Sequence, residues 1–538
     1  MESASIAGFF DFCKKNILLI ITVTIALFFT YGIKLFWYSI GIDTITFMAD
    51  KAGQLKWSMQ IGRFGYVLLA KLLFIKEFNP FTAFFTAFCL IWFFTVSWCY
   101  LFAVFSRDTG KNNNFIPFAL VLMTSPIWAS QFYFLHQAAE NAFIISLCPC
   151  IIYLLYKGFL DNRKGRIIFA SVLLVFIISV YQGIIPLFCC GTFACFLLFQ
   201  KNSDYEPKVY RNLCIKLLIT LAASVAVYFF IDRIIIPPLF HIERANYIDS
   251  MNKWGQKSFV ENVFKIVFFG YIIMGQIPFV HNIANQIMTN YIGPGAVGFI
   301  ANTSRVFGNI LLLPVTVFFF IGITAIVRKT IPSGRRLLYV LAGIGVPLTI
   351  MLLAVMGGSV PPMRSVYALP LAFSFMFFFL IGTYRKKAAV IVTCLALITA
   401  MYQAQISAQL FYSDQMRYNE DVRFAYELNN LITRAQPNNK NLPVAIAGNY
   451  DTASRFHSNF LEGEEVGRSV FGAGGSISQS TVNGLAFMKS LGINFDVPDN
   501  DQLEKALKEA AYLFPYPDPG CIKRTQDFIV IRISDNLY

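Results

Sequence analysis

Long apolar runs separated by short polar segments dominate most of the chain. A helix that crosses a membrane needs about 20 mostly apolar residues. Eleven runs approach or reach that length: 17–39, 80–106, 115–135, 139–157, 167–181, 183–200, 212–232, 303–327, 337–356, 366–384 and 388–406. The pattern predicts an all-α polytopic membrane domain over residues 1–405, with about eleven transmembrane helices.

The basic residues predict an orientation for these runs. Lys and Arg cluster at the N-terminus and in the segments that follow every even-numbered run, for example Lys14/Lys15, Arg335/Arg336 and Lys386/Lys387. Cytoplasmic loops carry an excess of Lys and Arg. We therefore expect an N-terminus inside, eleven spans and an exported C-terminus.

Two further apolar stretches are not counted as spans. Residues 64–76 are too short to cross and contain Lys71 and Lys76, which favours an amphipathic helix at the interface. Residues 259–280 are long enough to span, but one extra crossing would invert every later basic loop. We expect a juxtamembrane or re-entrant element there, or a hairpin with the stretch that follows.

The composition changes near residue 405, where long apolar runs stop and Asp, Glu, Asn and Arg become common. Residues 406–538 are therefore predicted to form a small extracytoplasmic α/β domain. Apolar positions at helical spacing predict an amphipathic helix over 413–435. Two buried strands are expected at 443–448 and 528–534, and two more helices at 481–492 and 501–512.

Bulk composition agrees with a membrane protein and argues against nucleic-acid binding. Hydrophobic residues make up 56% of the chain and charged residues 14%, whereas soluble domains carry about 25% charged residues. The net charge of +14 is distributed over loop clusters that the positive-inside rule explains. Cys521 is the one cysteine in the predicted C-terminal domain, and the four histidines are widely scattered. No metal site is expected.

The first exported loop, residues 39–65, is the richest candidate for chemistry. It contains Asp43 directly after the first run, then Asp50, and Arg63 in a Gly-Arg-Phe-Gly sequence. A carboxylate can deprotonate an acceptor hydroxyl, and an arginine can bind phosphate through paired hydrogen bonds. The combination suits transfer from a lipid-phosphate carrier. Each aspartate could equally be a helix cap or a solvated loop residue.

Further polar residues are predicted to face the same side of the membrane. His136 and Glu140 lie between the third and fourth runs, Tyr181 and Gln182 form the next exported turn, and Arg364 follows two prolines. We expect His136, Glu140, Tyr181 and Gln182 to line a substrate cavity. Arg364 either binds phosphate or anchors a helix end at the lipid headgroups. His136 and the Tyr-Gln pair also have purely structural interpretations.

Missing motifs narrow the class of protein. The chain has no Walker A loop, dinucleotide fingerprint or nucleophile elbow in a matching context, and no DxD pair in a cytoplasmic segment. Charges within the runs are few, and Lys34 and Lys216 lie near run ends, from which they can extend to the lipid surface. Ion-coupled transporters normally bury more ionisable groups. A flippase or transporter of lipid-linked sugars remains the competing class.

Four motifs in order along the chain carry a resemblance to a known family. They are IDTITF followed by GRFG in the first loop, SVYQGIIPLF at 179–188, PPMRSVYALP at 361–370, and SDQMRYNEDVRFAYEL at the end of the last run. This pattern resembles the bacterial and phage serotype-converting glucosyltransferases, which modify O-antigen or related surface glycans.

The resemblance implies a fold, a donor and roles for residues. It implies a GT-C type glycosyltransferase of the bacterial cytoplasmic membrane, which uses a polyprenyl-phosphate sugar, expected to be glucose, and a glycan acceptor without a cofactor. Asp43 corresponds to the acidic residue of the first exported loop, Arg63 and Arg364 to arginines for the donor phosphate, and Tyr181-Gln182 to the Tyr-Gln turn. The family often has a second acid close to the first. Here that acid is either Asp50 or absent.

Overall fold

The fold is described from a computed structural model of the chain. It describes residues 5–73, 78–107, 110, 114–275, 303–437, 441–450, 460–472 and 475–537. The α-helices within these ranges are α1 (Ile6–Lys15), α2 (Ile17–Phe36), α3 (Ile42–Ala49), α4 (Lys51–Gln60), α5 (Phe64–Leu73), α6 (Pro80–Ser106), α7 (Phe115–Met123), α8 (Pro126–Phe132), α9 (Leu135–Leu160), α10 (Lys164–Val180), α11 (Ile184–Asn202), α12 (Pro207–Phe230), α13 (Ile236–Phe240), α14 (Tyr247–Met251), α15 (Phe259–Ile273), α16 (Leu312–Lys329), α17 (Ser333–Gly357), α18 (Ala368–Ile381), α19 (Lys386–Ala435), α20 (Ile477–Ser490) and α21 (Asn500–Ala510). The strands are β1 (Val444–Ala447), β2 (Ile522–Arg524) and β3 (Ile529–Arg532).

Eight helices in the described part of the chain are long and apolar enough to cross a membrane, or nine if the bent pair α7–α8 is one span. The eight are α2, α6, α9, α11, α12 with its continuation to Phe240, α16, α17 and α19. The chain is therefore a mostly helical membrane protein. Two other predicted spans correspond to α10, with 17 residues, and α18, with 14, which are shorter than the usual span of about 20. The count of eleven and the exported C-terminus stay predictions.

The predicted span 115–135 is broken between α7 and α8, which are bent by 40°. Pro126 begins α8, and proline has no backbone N–H to continue a helix. The carbonyl groups that the break releases find other donors. Those of residues 122, 123 and 124 accept hydrogen bonds from the side chains of Trp128, Tyr31 and Ser407, at 2.7, 2.6 and 3.0 Å. Such pairing is what permits a broken helix at membrane depth.

The chain divides into two compact units, each of which is discontinuous in sequence. The first contains Met1–Gly32, Lys56–Phe132 and Gln137–Ala408. The second contains Ile33–Leu55, Tyr133–His136 and Gln409–Tyr538. The residues after about 405 therefore share a unit with most of the predicted first exported loop.

Small residues permit close helix packing inside the first unit. A side chain at Gly191 would lie 2.1 Å from the ring of Trp98, and one at Gly345 would lie 2.8 Å from the ring of Phe193. Helices in lipid gain little from hydrophobic burial, so they associate through close packing of this kind. The packing brings α6, α11 and α17 together around the aromatic core of the unit.

The second unit contains a three-stranded sheet in the order β1-β3-β2. β1 pairs in parallel with β3, from Val444 opposite Ile529, and β2 pairs antiparallel with β3. Alternate residues of β1 point to opposite faces of the sheet. Ala445 and Ala447 pack in a core with Leu503 and Ala506 of α21, and Ile446 packs against α20. Both predicted strands and both predicted helices of this region are confirmed.

The last predicted span and the amphipathic helix after it form one helix, α19, with 50 residues. Its sequence contains neither glycine nor proline before Pro437, so nothing interrupts the backbone hydrogen bonds. At 1.5 Å per residue it is about 75 Å long, more than twice the roughly 30 Å hydrocarbon core. Its second half therefore lies outside the membrane.

The structure bears on three further expectations from the sequence. The stretch 64–76 is helical over Phe64–Leu73, and its last three residues lie outside the described part. The stretch 259–280 begins with the 15-residue helix α15, and residues 276–280 are likewise outside it. The expectation that Lys34 extends to the lipid surface is wrong: its side chain is 3% exposed and forms an ion pair with Asp414.

Candidate active site

Asp43 lies in the first turn of α3, in the second unit. Thr44, Ile45 and Phe47 are the buried residues of this short helix, and they leave the Asp43 side chain exposed. A carboxylate in a first helical turn also interacts favourably with the positive end of the helix dipole. The Asp43 side chain is therefore accessible to an acceptor, and its position also stabilises the start of α3.

Asp50 has a helix-capping contact. It lies between α3 and α4, and its carboxylate accepts a hydrogen bond from the backbone N–H of Gly53 at 2.9 Å. Because the first turn of a helix has backbone donors without partners in the helix, such a contact stabilises α4. The cap gives Asp50 a structural role.

His136 and Tyr133 lie in the same unit as Asp43. The ring of His136 stacks on Phe47, with ring centres 5.5 Å apart. A side chain at Gly41 would lie 2.2 Å from the ring of Tyr133, so Tyr133 packs against the residue that precedes α3.

The Gly-Arg-Phe-Gly sequence is a tight corner of the first unit. Gly62 has a φ of +79°, which favours glycine, and a side chain there would lie 2.6 Å from the hydroxyl of Tyr228. A side chain at Gly65 would lie 2.1 Å from Ser179 Oγ, so this glycine lets α5 approach α10. The two glycines thus fix the backbone on either side of Arg63.

A hydrogen-bonded group holds this corner against the Tyr-Gln turn. Gln182 Nε2 donates to the Gly62 carbonyl at 3.2 Å and to the Tyr228 hydroxyl at 2.7 Å. The Tyr228 hydroxyl donates to the same carbonyl at 3.0 Å. Residues that are 166 positions apart in the chain therefore meet at one backbone carbonyl.

The Arg63 guanidinium is half-buried and held on two sides. Its carbon lies 4.7 Å from the ring centre of Tyr181, and Nη1 donates to Gln137 Oε1 at 3.4 Å. Its Nε is buried and makes no hydrogen bond to the described residues. A guanidinium that is oriented by an aromatic face and retains a donor is suited to bind an anion.

Arg364 approaches the same group through Tyr367. It lies in a 3-10 turn, Met363–Ser365. Tyr367 stacks on Tyr181 with ring centres 5.5 Å apart. A side chain at Gly183, which follows Gln182, would lie 3.2 Å from the Ser365 carbonyl, so the turn that carries Arg364 packs against the Tyr-Gln turn. We call Arg63, Gln137, Tyr181, Gln182, Tyr228, Arg364 and Tyr367 the arginine cluster.

Glu140 lies one helical turn after Gln137 on α9 and is buried. Burial raises the pKa of Tyr66 well above its usual range, the Glu140 carboxylate adds to this effect, and Arg63 opposes it. Glu140 is thus a buried carboxylate within reach of Tyr66, three residues after Arg63.

A buried ion pair lies beside Gly62. Asp232, in the π-helical turn Ile231–Ile235, is 1% exposed and pairs with Arg244. A side chain at Gly62 would lie 3.0 Å from the Asp232 carboxylate. π-Helical turns within α-helices are frequent at functional sites.

The structure divides the residues predicted from sequence between the two units. Arg63, Tyr181, Gln182, Arg364 and Glu140 lie in the first unit, and Asp43, Asp50 and His136 lie in the second. Sequence reasoning missed Tyr228 and Tyr367, which position the arginine cluster. Tyr367 lies in the PPMRSVYALP motif, so the motif could have indicated it. Tyr228 carries no local signal, since it is one tyrosine within a long apolar run.

Comparison with known proteins bears on most of the membrane part of the chain. A search of curated proteins gives no significant match. Residues 32–381 match the family described as glucosyl transferase GtrII. The match covers more than half of the chain and includes the first loop, the Tyr-Gln turn and the Arg364 segment. The chain belongs to the glucosyl transferase GtrII family, a family of serotype-converting membrane glycosyltransferases.

Proposed function

We propose that this glucosyltransferase takes glucose from a polyprenyl-phosphate carrier and transfers it to a hydroxyl group of a surface glycan such as O-antigen. The arginine cluster carries the proposal. Arg63 retains a buried Nε without a partner among the described residues, and Arg364 lies in the turn that packs against the Tyr-Gln turn. Two guanidinium groups offer charge and paired donors that match a phosphate.

An apolar groove of about 530 Å³ supports a lipid-linked donor. It runs between α5, α10 and α12 in the first unit, and Phe64, Gly65 and Ser179 line one end of it. Phe64 directly follows Arg63, so the groove begins beside the proposed phosphate site.

The groove is long enough for part of an isoprenoid chain. Along α10 its lining extends from Ile167 to Ser179, which is about 18 Å at 1.5 Å per residue. Val172 and Ile219 of this lining are more than half exposed, although they are apolar. We assign the groove to the isoprenoid tail of the donor, with the phosphate at Arg63.

The proposed transfer needs one proton acceptor and one charge stabiliser. The Asp43 carboxylate takes the proton of the acceptor hydroxyl as its oxygen bonds to the anomeric carbon of glucose. The bond from that carbon to the phosphate oxygen breaks, and polyprenyl phosphate leaves with the electron pair. Arg63, with Arg364, stabilises the charge on the leaving phosphate. No cofactor is required, because the donor already carries an activated sugar.

Donor dependence is the direct test. Membranes that contain the protein and an acceptor glycan should incorporate glucose when polyprenyl-phosphate glucose is supplied. They should fail with a nucleotide sugar in membranes that lack the enzyme making the lipid-linked donor. Transfer from the soluble nucleotide sugar alone would refute the proposal.

The groove can be tested by filling it. Val172 in the groove and Val390 on α19 are 60% and 61% exposed, so they form a matched pair in one unit. Val172→Trp should raise the KM for the lipid donor at least several-fold, and Val390→Trp should leave it unchanged. Equal effects of both substitutions would show that the groove does not hold the donor.

The choice of Asp43 as base is tested by paired amide substitutions. Asp43→Asn should lower kcat by about 10²–10⁴-fold, the usual contribution of general-base catalysis. Asp50→Asn keeps an oxygen for the Gly53 N–H and should stay near the activity of the unaltered protein. If Asp50→Asn is inactive and Asp43→Asn is active, the base is Asp50. If both are active, the next carboxylates to test are Glu140 and Asp249, which lies in α14.

We further propose that the protein lies in the bacterial cytoplasmic membrane with the C-terminal residues exported. Cys521 is a poor reporter of sidedness, because it is 1% exposed and burial raises the pKa of its thiol. Tyr512 is 87% exposed. Tyr512→Cys should react with an impermeant thiol reagent in intact spheroplasts. Labelling only after lysis would show that the C-terminal residues are cytoplasmic, which would contradict transfer on the exported face.

A further inference from the structure

Four charged side chains of the second unit are completely buried. Lys34 is 3% exposed at its side chain, and Asp414, Arg417 and Asp421 are 0% exposed. Asp414 pairs with both Lys34, at 3.0 Å, and Arg417, and Arg417 also pairs with Asp421 at 3.1 Å. We call these four residues the buried charge network.

The network holds the backbone that leads into the first loop. Lys34 Nζ donates to the Ser39 carbonyl at 2.7 Å, and Arg417 Nη2 donates to the Ile40 carbonyl at 3.0 Å. The Ser39 hydroxyl donates to Asp414 at 2.5 Å. Two consecutive residues are therefore fixed by three of the four charges.

The fixed residues end three positions before Asp43. Gly41 follows Ile40 and lies against the ring of Tyr133, where a side chain would approach within 2.2 Å. The helix that carries Asp43 begins at Ile42. The direction in which α3 starts, and with it the position of Asp43, is therefore set by residues 39–41.

The opposite end of the network is attached to a second backbone segment. Asp421 accepts hydrogen bonds from Ser469 Oγ at 2.6 Å and from the Val470 N–H at 3.0 Å. The network thus joins residues 39–40, the second half of α19 and the turn at 469–470.

We propose that the buried charge network positions Asp43 for proton transfer, with Lys34 and Arg417 as positioning residues that do not contact the substrate. The inference rests on the proposed role of Asp43 as the base. A misplacement of about 1 Å can cost about 100-fold in rate. Four desolvated charges fix geometry more tightly than exposed ones, because all their partners are internal.

The test compares two arginines on the same helix. Arg417→Lys keeps the charge but loses the planar fork that binds Asp414, Asp421 and Ile40 together. Arg423→Lys is the matched control, since Arg423 contacts carboxylates at the same spacings but is exposed. For each variant, the amount of folded protein, its melting temperature, and kcat and KM for both substrates are measured.

We expect Arg417→Lys to lower kcat by about 10- to 100-fold while KM for donor and acceptor stays within a few-fold. Arg423→Lys should match the unaltered protein. A folded Arg417→Lys variant with full kcat would overturn the proposal. If Arg417→Lys does not fold, Ser39→Ala replaces it, because this variant removes the hydroxyl that contacts both Lys34 and Asp414 and leaves every charge. Normal kcat in Ser39→Ala would then overturn the proposal.

A double variant separates this inference from the proposed function. If the network acts through Asp43, Arg417→Lys has no further effect on kcat in the Asp43→Asn background. If Asp43→Asn has the expected low kcat and the two losses multiply, Asp43 remains the base and the positioning role is wrong. If Asp43→Asn is fully active, the proposed base is wrong, and a kcat loss in Arg417→Lys then belongs to another group.

Discussion

Two arginines on α19 have the same local sequence geometry and opposite environments. Arg417 pairs with Asp414 three residues before it and Asp421 four residues after it. Arg423 pairs with Glu420 and Glu427 at the same two spacings. The Arg417 side chain is 0% exposed, whereas the Arg423 side chain is 49% exposed.

Burial changes how much an ion pair contributes to stability. An exposed pair exchanges hydration for a weak attraction and contributes about 0–1 kcal/mol. A buried pair has already lost its hydration, so its groups depend on one another, and removing one partner costs about 3–5 kcal/mol. The buried network is therefore a unit, and the exposed one is a set of independent contacts.

Arg417→Ala should have the largest effect on stability. It leaves Asp421 buried with Ser469 and the Val470 N–H but without a cation, and leaves Asp414 with Lys34 and the Ser39 hydroxyl. We expect a loss of about 3–5 kcal/mol in the free energy of unfolding. Thermal and denaturant unfolding in detergent would measure it. A loss below 1 kcal/mol would mean that the second unit tolerates the unpaired carboxylate.

Asp421→Asn should have a smaller effect. The amide keeps one oxygen for the Ser469 hydroxyl or the Val470 N–H, and Arg417 keeps Asp414. The expected loss is about 1.5–3 kcal/mol, the range for a hydrogen bond to a charged group. The same unfolding measurement applies. If this loss equals that of Arg417→Ala, the carboxylate and not the arginine is the centre of the network.

Sequence patterns predicted the helices better than their environments. Apolar runs located every predicted span on a helix or on the bent pair, since a lipid-exposed helix needs a long apolar surface. The pattern around Arg417 is the pattern of an exposed helix surface, with opposite charges at helical spacing. Arg417 is nevertheless buried, and residues that it and its partners contact, such as Ile40 and Ser469, are far away in sequence.

The candidate site was predictable only where its residues lie in polar segments of the sequence. Asp43 and Arg63 lie in a polar loop beside apolar runs, so the sequence pattern alone indicates them. The contact of Tyr228 with Gly62 and the burial of Lys34 depend on tertiary packing. A lysine near a run end has the same sequence signal whether it meets lipid headgroups or a buried aspartate.

Ser469→Ala tests the edge of the buried network. It removes the hydroxyl that donates to Asp421 at 2.6 Å and accepts from the Phe471 N–H at 3.1 Å, and it leaves the Val470 N–H and Arg417 in place. The expected loss is about 1–3 kcal/mol, the net contribution of two hydrogen bonds. Unfolding of this variant, of Asp421→Asn and of the double variant would show whether the two losses overlap, as expected for groups in contact.

Arg423→Ala should have the smallest effect and is the reference for the others. Glu420 keeps its hydrogen bond from the Tyr450 hydroxyl at 2.7 Å, and Glu427 keeps one from Tyr516, so neither carboxylate is left without a donor. We expect a loss of about 0–1 kcal/mol. Salt should affect the two arginines differently, because it screens exposed charges much more than buried ones. Raising the ionic strength should remove the small effect of Arg423→Ala and leave that of Arg417→Ala unchanged. Equal salt dependence of the two variants would show that water reaches Arg417, and the distinction between the two arginines would fail.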